Sequence, residues 1–429
     1  MKKTQFLILS IFAFSVCANA QQTYTLQQCI DIALENNRQV KQQSLAKQER
    51  DIAYRQARQN LLPDLNAGAG QHFTFGRSLD ETSTYQSANS TQTSFSIGSN
   101  LTLFDGLRMK HNIDARRAEM YASAADLEKV KTDIVMVVST TYLQVLMNKE
   151  LLQIAENQLL LTKELITQRQ KLIETGKLAE GEIFELQAQE AKEELNRVQA
   201  ENTLKLALLD LAQIMEIDFQ NFDIQAEDLP LVDLGSIEDI YQSALQNRPE
   251  MKSAAYKLQS SEKNISMARA GYFPTLTFGA NLGTGYYNLE NKQSDSFNQQ
   301  FSDNLSTSLG FNLNIPIFNR FDTKNRVETA KLATENSKLE LENTKKELFK
   351  SIQQAYQNAI AAQERQKAAE KAVRATQEAF RYAEQRFNAG RASQYEVFQA
   401  KNNLTQTLSE QTQAKFEYAF RLKILELLK

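Results

Sequence analysis

Histidine and cysteine are almost missing from this 429-residue chain, which has two of each. Their scarcity leaves little room for imidazole, thiolate or His/Cys-ligated metal chemistry. His72 and His111 have no second ligand at metal spacing. Cys17 lies in an N-terminal apolar run, so Cys29 is the one thiol expected in a mature chain, and no disulfide framework can form within it. HExxH, CxxC and G-x-S-x-G do not occur, and Thr175-Gly176-Lys177 lacks the upstream glycine of a phosphate-binding loop. The eight methionines are scattered, which argues against a dedicated copper path. No catalytic residue, metal or cofactor is expected, and no nucleic-acid partner.

Glycine and proline are absent from two long windows, 107–175 and 321–389. Each window predicts a helix about 100 Å long at 1.5 Å per residue. In the second window the core-type positions include Leu348, Ile352, Ala355, Ala359, Ala362 and later Thr376. Shifted back by 214 they become Ile134, Val138, Thr141, Val145, Asn148 and Thr162, and further along the same row falls Arg169. Steps of three and four alternate, averaging about 3.5, the coiled-coil period. A second stripe of alanines, from Ala361 to Ala379, lies beside the first. Two narrow stripes suit a helix with close neighbours on both sides, as in the wall of a tube. A solvent-exposed coiled coil has the same signature.

The chain is a duplication. Ala33-Leu34-Glu35-Asn36 corresponds to Ala244-Leu245-Gln246-Asn247 at an offset of 211, as do Ala57-Arg58 with Ala268-Arg269 and Pro63 with Pro274. Beyond about position 100 the offset is 214, relating Leu103-Phe104 to Ile317-Phe318, Gly176 to Gly390, and Glu182 to Glu396. Such a period is too long for a solenoid. It marks a duplicated half, 21–211 and 236–429, with 212–235 between the copies.

Each copy alternates apolar and polar residues in two segments, about 64–76 and 94–105, then 275–287 and 307–318. Phe95, Ile97, Phe278 and Phe311 fall on apolar faces; Asn66, Asn100, Asn281, Asn312 and Asn314 fall on the opposite ones. One such segment suits a half-buried soluble sheet. Four, with Gly- and Asn-rich second faces, fit transmembrane β-strands that are apolar to lipid and polar to a lumen. Four strands cannot close a barrel, and an open edge is not tolerated in lipid, so several chains must share one. The polar stretches 77–93 and 287–306 read as external loops.

The N-terminus names the compartment. Lys2-Lys3, an apolar run to Cys17 and Ala18-Asn19-Ala20 read as a secretory signal, residues 1–20, cleaved before Gln21. Val16 before Cys17 is not small, so lipidation is not expected. Cleavage takes the net charge from −3 to −5. No later stretch approaches eighteen consecutive apolar residues. A secreted chain with barrel strands points to a bacterial outer membrane.

Length supplies the rest of the architecture. Residues 177–213 and 236–272 together match the first long helix as a return path, and 391–429 with 25–62 match the second. Between them 216–235, with Pro230 and the acids Glu227, Asp228 and Asp233, reads as a small mixed α/β patch at mid-height.

Three sets of segments carry a family resemblance. They are Leu62-Pro63-Asp64-Leu65 with Phe273-Pro274-Thr275-Leu276, Leu103-Phe104-Asp105-Gly106 with Ile317-Phe318-Asn319-Arg320, and Glu174-Thr175-Gly176-Lys177 with Asn388-Ala389-Gly390-Arg391. In order and spacing the chain resembles the TolC-like outer-membrane efflux proteins. The resemblance implies a mixed, mainly α fold: a homotrimer sharing a 12-stranded barrel, with a long α-helical barrel in the periplasm and an equatorial patch. It also implies an adaptor protein and a proton- or ATP-driven inner-membrane pump as partners. The chain would then be a passive exit duct for small molecules or polypeptides. The rival expectation is a secreted coiled coil or adhesin without a pore.

Within that frame the helix-reversal tips hold the functional residues. Gly176 and Gly390 give the turns, each followed by a cation, Lys177 or Arg391, and six residues on by Glu182 or Glu396. With Glu180 and Glu185 these acids form a candidate gate ring. The family often carries acidic rings here, whereas this chain has Gln399 where a second acid of the later copy is expected.

Overall fold

A computed structural model of the chain describes residues 22–79, 83–176, 179–220, 222–225, 234–290 and 293–429. The signal segment, Pro230 and the three patch acids lie outside the described residues. In chain order the elements are β1 (Gln22–Tyr24), α1 (Leu26–Asn36), α2 (Arg38–Gln59), β2 (Asn66–Thr74), β3 (Arg77–Leu79), β4 (Tyr85–Ser87), β5 (Ser90–Phe104), α3 (Arg108–Glu174) and α4 (Glu182–Ile214). There follow β6 (Phe222–Ile224), α5 (Ile237–Asn247), α6 (Pro249–Arg269), a 3₁₀ turn, β7 (Thr275–Leu289), α7 (Phe297–Asp303), β8 (Ser306–Asn314), α8 (Asp322–Asn388) and α9 (Gln394–Leu428). α3 and α8 have 67 residues each and start 214 apart. α1 and α5 have 11 residues each and end 211 apart.

The chain forms two compact units. One comprises Met1–Lys41, Val130–Tyr241 and Ser351–Lys429; the other comprises Gln42–Lys129 and Gln242–Lys350.

The first unit holds the mixed patch. β1 pairs in parallel with β6, Tyr24 opposite Ile224. Sequence alone placed the patch within 216–235 and missed β1, whose three residues carry no pattern of their own. Thr25 ends β1 and caps α1 in a capping box with Gln28. α3 fastens the strands: the Tyr142 hydroxyl donates to the carbonyl of Gln225 at 2.6 Å, and Lys149 donates to that of Ile224 at 2.7 Å while pairing with Asp223. α3 also contains an 18-residue window with mean hydropathy 1.2. The window is interrupted by polar residues and is not a run of consecutive apolar ones. The window's composition has a packing cause, since Val138, Tyr142 and Val145 on α3 are fully buried inside this unit.

The second unit holds an antiparallel sheet in the order β2-β5-β7-β8. The alternation is what orders it. Registering Ala67 with Ile97, Ile97 with Leu282, and Leu101 with Phe278 and then Phe311 gathers the apolar residues on one face. Phe278 and Phe311 are in ring contact across the strands, centroids 5.1 Å apart. An irregularity between Thr102 and Phe104 lets Leu103 and Phe104 be adjacent without breaking the pattern. The face is open, with Leu309, Phe311 and Leu313 strongly exposed. Of the expected external loops, 77–93 contains the β3–β4 hairpin and 287–306 contains α7, so both are more ordered than their composition suggests.

Both copies turn from strand to long helix through two consecutive residues with positive φ. They are Gly106 (69°) and Leu107 (66°) in one, Arg320 (55°) and Phe321 (62°) in the other. A side chain at Gly106 would collide with Phe273, since a Cβ there would lie 2.7 Å from Phe273 Cβ and 2.8 Å from the carbonyl oxygen of Ala270. Asp105 then anchors the helix start by accepting from the Met109 N–H at 3.0 Å.

Candidate functional site

The tips are built by helix termination. After α8, the Gly390 N–H donates to the Phe387 carbonyl at 2.9 Å and the Arg391 N–H to the Arg386 carbonyl at 2.8 Å. This is a Schellman turn, and it requires the left-handed conformation that Gly390 adopts at φ 68°. Gly176 does the same after α3 at φ 70°, its N–H donating to Ile173. No atom lies near enough to either glycine to exclude a side chain, so the need is conformational.

The two tips then differ. Ser393 opens α9 through a capping box with Glu396, whose carboxylate also pairs with Arg386 at 3.3 Å. The positions matching Ser393 and Arg386 at the offset of 214 are Ala179 and Leu172, whose side chains offer no polar group. α4 accordingly starts at Gly181 without a side-chain cap. Glu180, Glu185, Glu396 and Arg391 are exposed. Lys177 and the side chain of Glu182 lie outside the described residues. Near the tips Arg169, in the predicted core row, is buried with its guanidinium 4.0 Å from the centre of the Phe387 ring. This cation–π contact joins α3 to α8.

Further along the same helices lies a cluster that sequence reasoning missed. Lys401 on α9 and Glu193 on α4 are 1% and 3% exposed and lie 3.3 Å apart. Lys401 also donates to the Gln158 carbonyl at 3.1 Å and to the Thr162 hydroxyl of α3. Thr162 donates to the other Glu193 oxygen at 2.5 Å. Gln158 and Gln189 both donate to Glu193. Burial holds the Lys401 ammonium below the usual lysine range, opposed by the attraction of Glu193. The second copy has a neutral counterpart, the hydroxyls of Thr376 and Thr407 at 2.7 Å. The available signal was spacing: Lys401 follows Gln394 and Val397 at core intervals, and Glu193 stands seven residues after Leu186.

On the sheet, the five asparagines share one face. Asn66 is opposite Gly98 and Gly98 opposite Asn281; Asn100 is opposite Gly279, and Asn312 and Asn314 oppose Thr277 and Thr275. The glycines leave room for the amides: a Cβ at Gly98 would sit 3.3 Å from Asn281 Oδ1, and one at Gly279 3.4 Å from Asn100 Oδ1. Among the described residues no group of three or more His, Cys, Asp or Glu is placed to hold a metal ion.

The folds of solved outer-membrane channels match this arrangement. The structure of CusC superposes with a TM-score of 0.81 at 20% identity, covering 94% of this chain and 91% of that one. VceC from Vibrio cholerae gives 0.78 at 16% identity and 94% coverage of each chain. In sequence the chain is 24% identical to the probable outer membrane lipoprotein SilC of Salmonella typhimurium over 314 residues, 70% of this chain. It is 26% identical to the probable efflux pump outer membrane protein TtgC of Pseudomonas putida over 325 residues, 72% of this chain. Each match spans 62% of the relative's length. The outer membrane efflux protein family matches residues 29–215 and 240–427, both copies of the duplication. The chain belongs to the outer membrane efflux protein family.

Proposed function

We propose that the chain is the exit duct of an export system. Three copies share one 12-stranded barrel in the outer membrane, and their helices form a tube in the periplasm. An adaptor and an inner-membrane pump feed the duct, which carries no reaction itself. One observation carries this reading. The sheet has an exposed apolar face, an Asn- and Gly-rich opposite face, and two free edges in β2 and β8, each nine residues long. Joined β8 to β2, three such sheets leave no edge in lipid.

The relatives support a duct without its own cargo filter. At similar identity they include a cation efflux protein, CusC of Escherichia coli O157:H7, and a toluene efflux pump protein, TtgI of Pseudomonas putida. Selection then falls to the pump. The gate lies at the tips, where Lys177, Arg391 and the acids Glu180, Glu182, Glu185 and Glu396 converge as rings in a trimer. Glu396 is engaged within its own turn, so Glu182 and its neighbours are the better candidates for contacts between tips. Mass measurement in detergent and planar-bilayer recording of the purified protein test the proposal. A trimer with a small resting conductance is expected; a stable membrane monomer, or a soluble protein without conductance, overturns it.

A further inference from the structure

Beyond Gly283, β7 runs on without its neighbour. The β7–β8 ladder ends at Gly283 opposite Ser306, whereas β7 stays paired with β5 up to Leu289. α7 takes the vacant place at this end of the sheet, remote from the long helices. Gln300 accepts from the Tyr287 N–H at 2.9 Å and donates to the Tyr287 carbonyl at 3.0 Å, as a strand partner would. Asn304 donates to the Gly285 carbonyl at 2.8 Å, and the Thr284 hydroxyl to the Phe301 carbonyl at 2.7 Å.

With those polar groups satisfied, α7 turns Phe297 and Phe301, one helical turn apart, onto the apolar face of the sheet. Phe301 meets Phe95 edge-on at 5.7 Å between centroids, and Phe297 meets Tyr286 at 5.4 Å. Phe297, Phe301 and Leu305 nevertheless stay exposed. Beside them a groove of about 450 Å³ crosses the same face, floored by Ala67, Ala69 and Ile97 and walled by Phe301 and Leu305. The groove continues the face that the barrel turns to lipid.

We propose that α7 lies in the outer half of the membrane as an interfacial wedge, and that the groove beside it holds an acyl chain of a membrane lipid. A short amphipathic helix with aromatic residues inward and Asn298, Gln299 and Ser302 available to headgroups suits that depth. Every backbone and side-chain group named above that faces the sheet edge is already paired, as contact with lipid demands. The inference needs the sheet in the membrane but not the export path.

The chain has no tryptophan, so Phe301→Trp and Phe297→Trp each create a sole indole. The full-length variants are reconstituted in phosphatidylcholine vesicles containing lipid brominated near the carbonyl or near the chain end. Expected are blue-shifted emission, fluorescence loss to brominated lipid that is larger for bromine near the carbonyl, and little loss to aqueous acrylamide. Phe311→Trp on β8 should also lose fluorescence to brominated lipid. Ala69→Phe, which fills the groove floor, should reduce the loss seen with Phe301→Trp. Quenching of the α7 variants by acrylamide alone places the helix in water and overturns the proposal. Quenching by neither means that protein covers the helix, which overturns it as well. An unchanged loss with Ala69→Phe overturns the groove's occupancy but leaves the helix in the membrane. If Phe311→Trp is also insensitive to lipid, the barrel reading falls together with the wedge.

Discussion

Lys401 and Glu193 form an ion pair almost wholly removed from water, on helices that the duplication makes counterparts but at positions that it does not match. Their positions correspond to Gln187 and Thr407 in the other copy. Desolvating two charges offsets most of their attraction, but removing one partner strands the other. Lys401→Met is therefore expected to destabilise the first unit by about 3–5 kcal/mol. Lys401→Met combined with Glu193→Leu should cost far less. Thermal melting followed by circular dichroism in detergent measures this cycle.

The same lysine gives a pH dependence with a definite sign. Its folded-state pKa is lowered from the ordinary 10.5, chiefly by burial. Between the folded and unfolded values the unfolded chain binds more protons, so stability rises with pH. The burial penalty is complete below the folded pKa and is relieved as pH climbs toward 10.5. Subtracting the Lys401→Met melting profile from that of the wild type should leave a contribution that grows through this alkaline window. A flat difference would mean that the ammonium is well solvated.

The strand-to-helix junctions should respond in opposite directions. Gly106→Ala puts a Cβ into left-handed backbone and against Phe273, a strain of about 1–3 kcal/mol with a similar overpacking term. Arg320→Gly relieves the matching strain in the other copy, and after the entropy of the added glycine should gain about 1 kcal/mol. Melting temperatures of the two variants check both signs.

Neighbouring positions on β8 should differ in tolerance. Phe311 belongs to the apolar face and Asn312 to the opposite one. Phe311→Lys should cost about 2–4 kcal/mol at mid-membrane, and Asn312→Lys much less. Equal yields of assembled protein in outer-membrane fractions would refute the two-faced sheet.

At the tips, Lys177→Ala with Arg391→Ala should raise resting conductance, and Glu182→Gln with Glu396→Gln should weaken cation preference in planar bilayers. Each exposed ion pair is worth at most about 1 kcal/mol, so single substitutions should act weakly. Glu396→Ala should additionally fray the start of α9, because it removes half of the Ser393 capping box.

The long helices and the sheet were legible because each rests on a pattern repeated twice. The glycine-free windows gave α3 and α8 to within a residue or so, and the alternation gave the shared face of the five asparagines. What stayed hidden depends on partners distant in sequence. β1 is a strand only because Phe222–Ile224 lies beside it. α7 holds its place through Gln300 and Asn304 reaching β7, and nothing in its own seven residues announces that. Lys401 sat at a core interval, yet the row of positions does not say which carboxylate it meets.

The two unsatisfied edges of the sheet also bear on biogenesis. Before assembly, β2 and β8 present open hydrogen-bonding ladders beside an exposed apolar surface, the combination that drives indiscriminate strand addition. Left alone, β8 of one chain can meet β2 of the next indefinitely, and a ribbon that fails to curve shut becomes a fibre rather than a ring. If three sheets join as proposed, the hazardous interval is the one before the ring closes. In that proposal, masking of the two edges would keep a chain single, and the curvature of the four strands would set how many join.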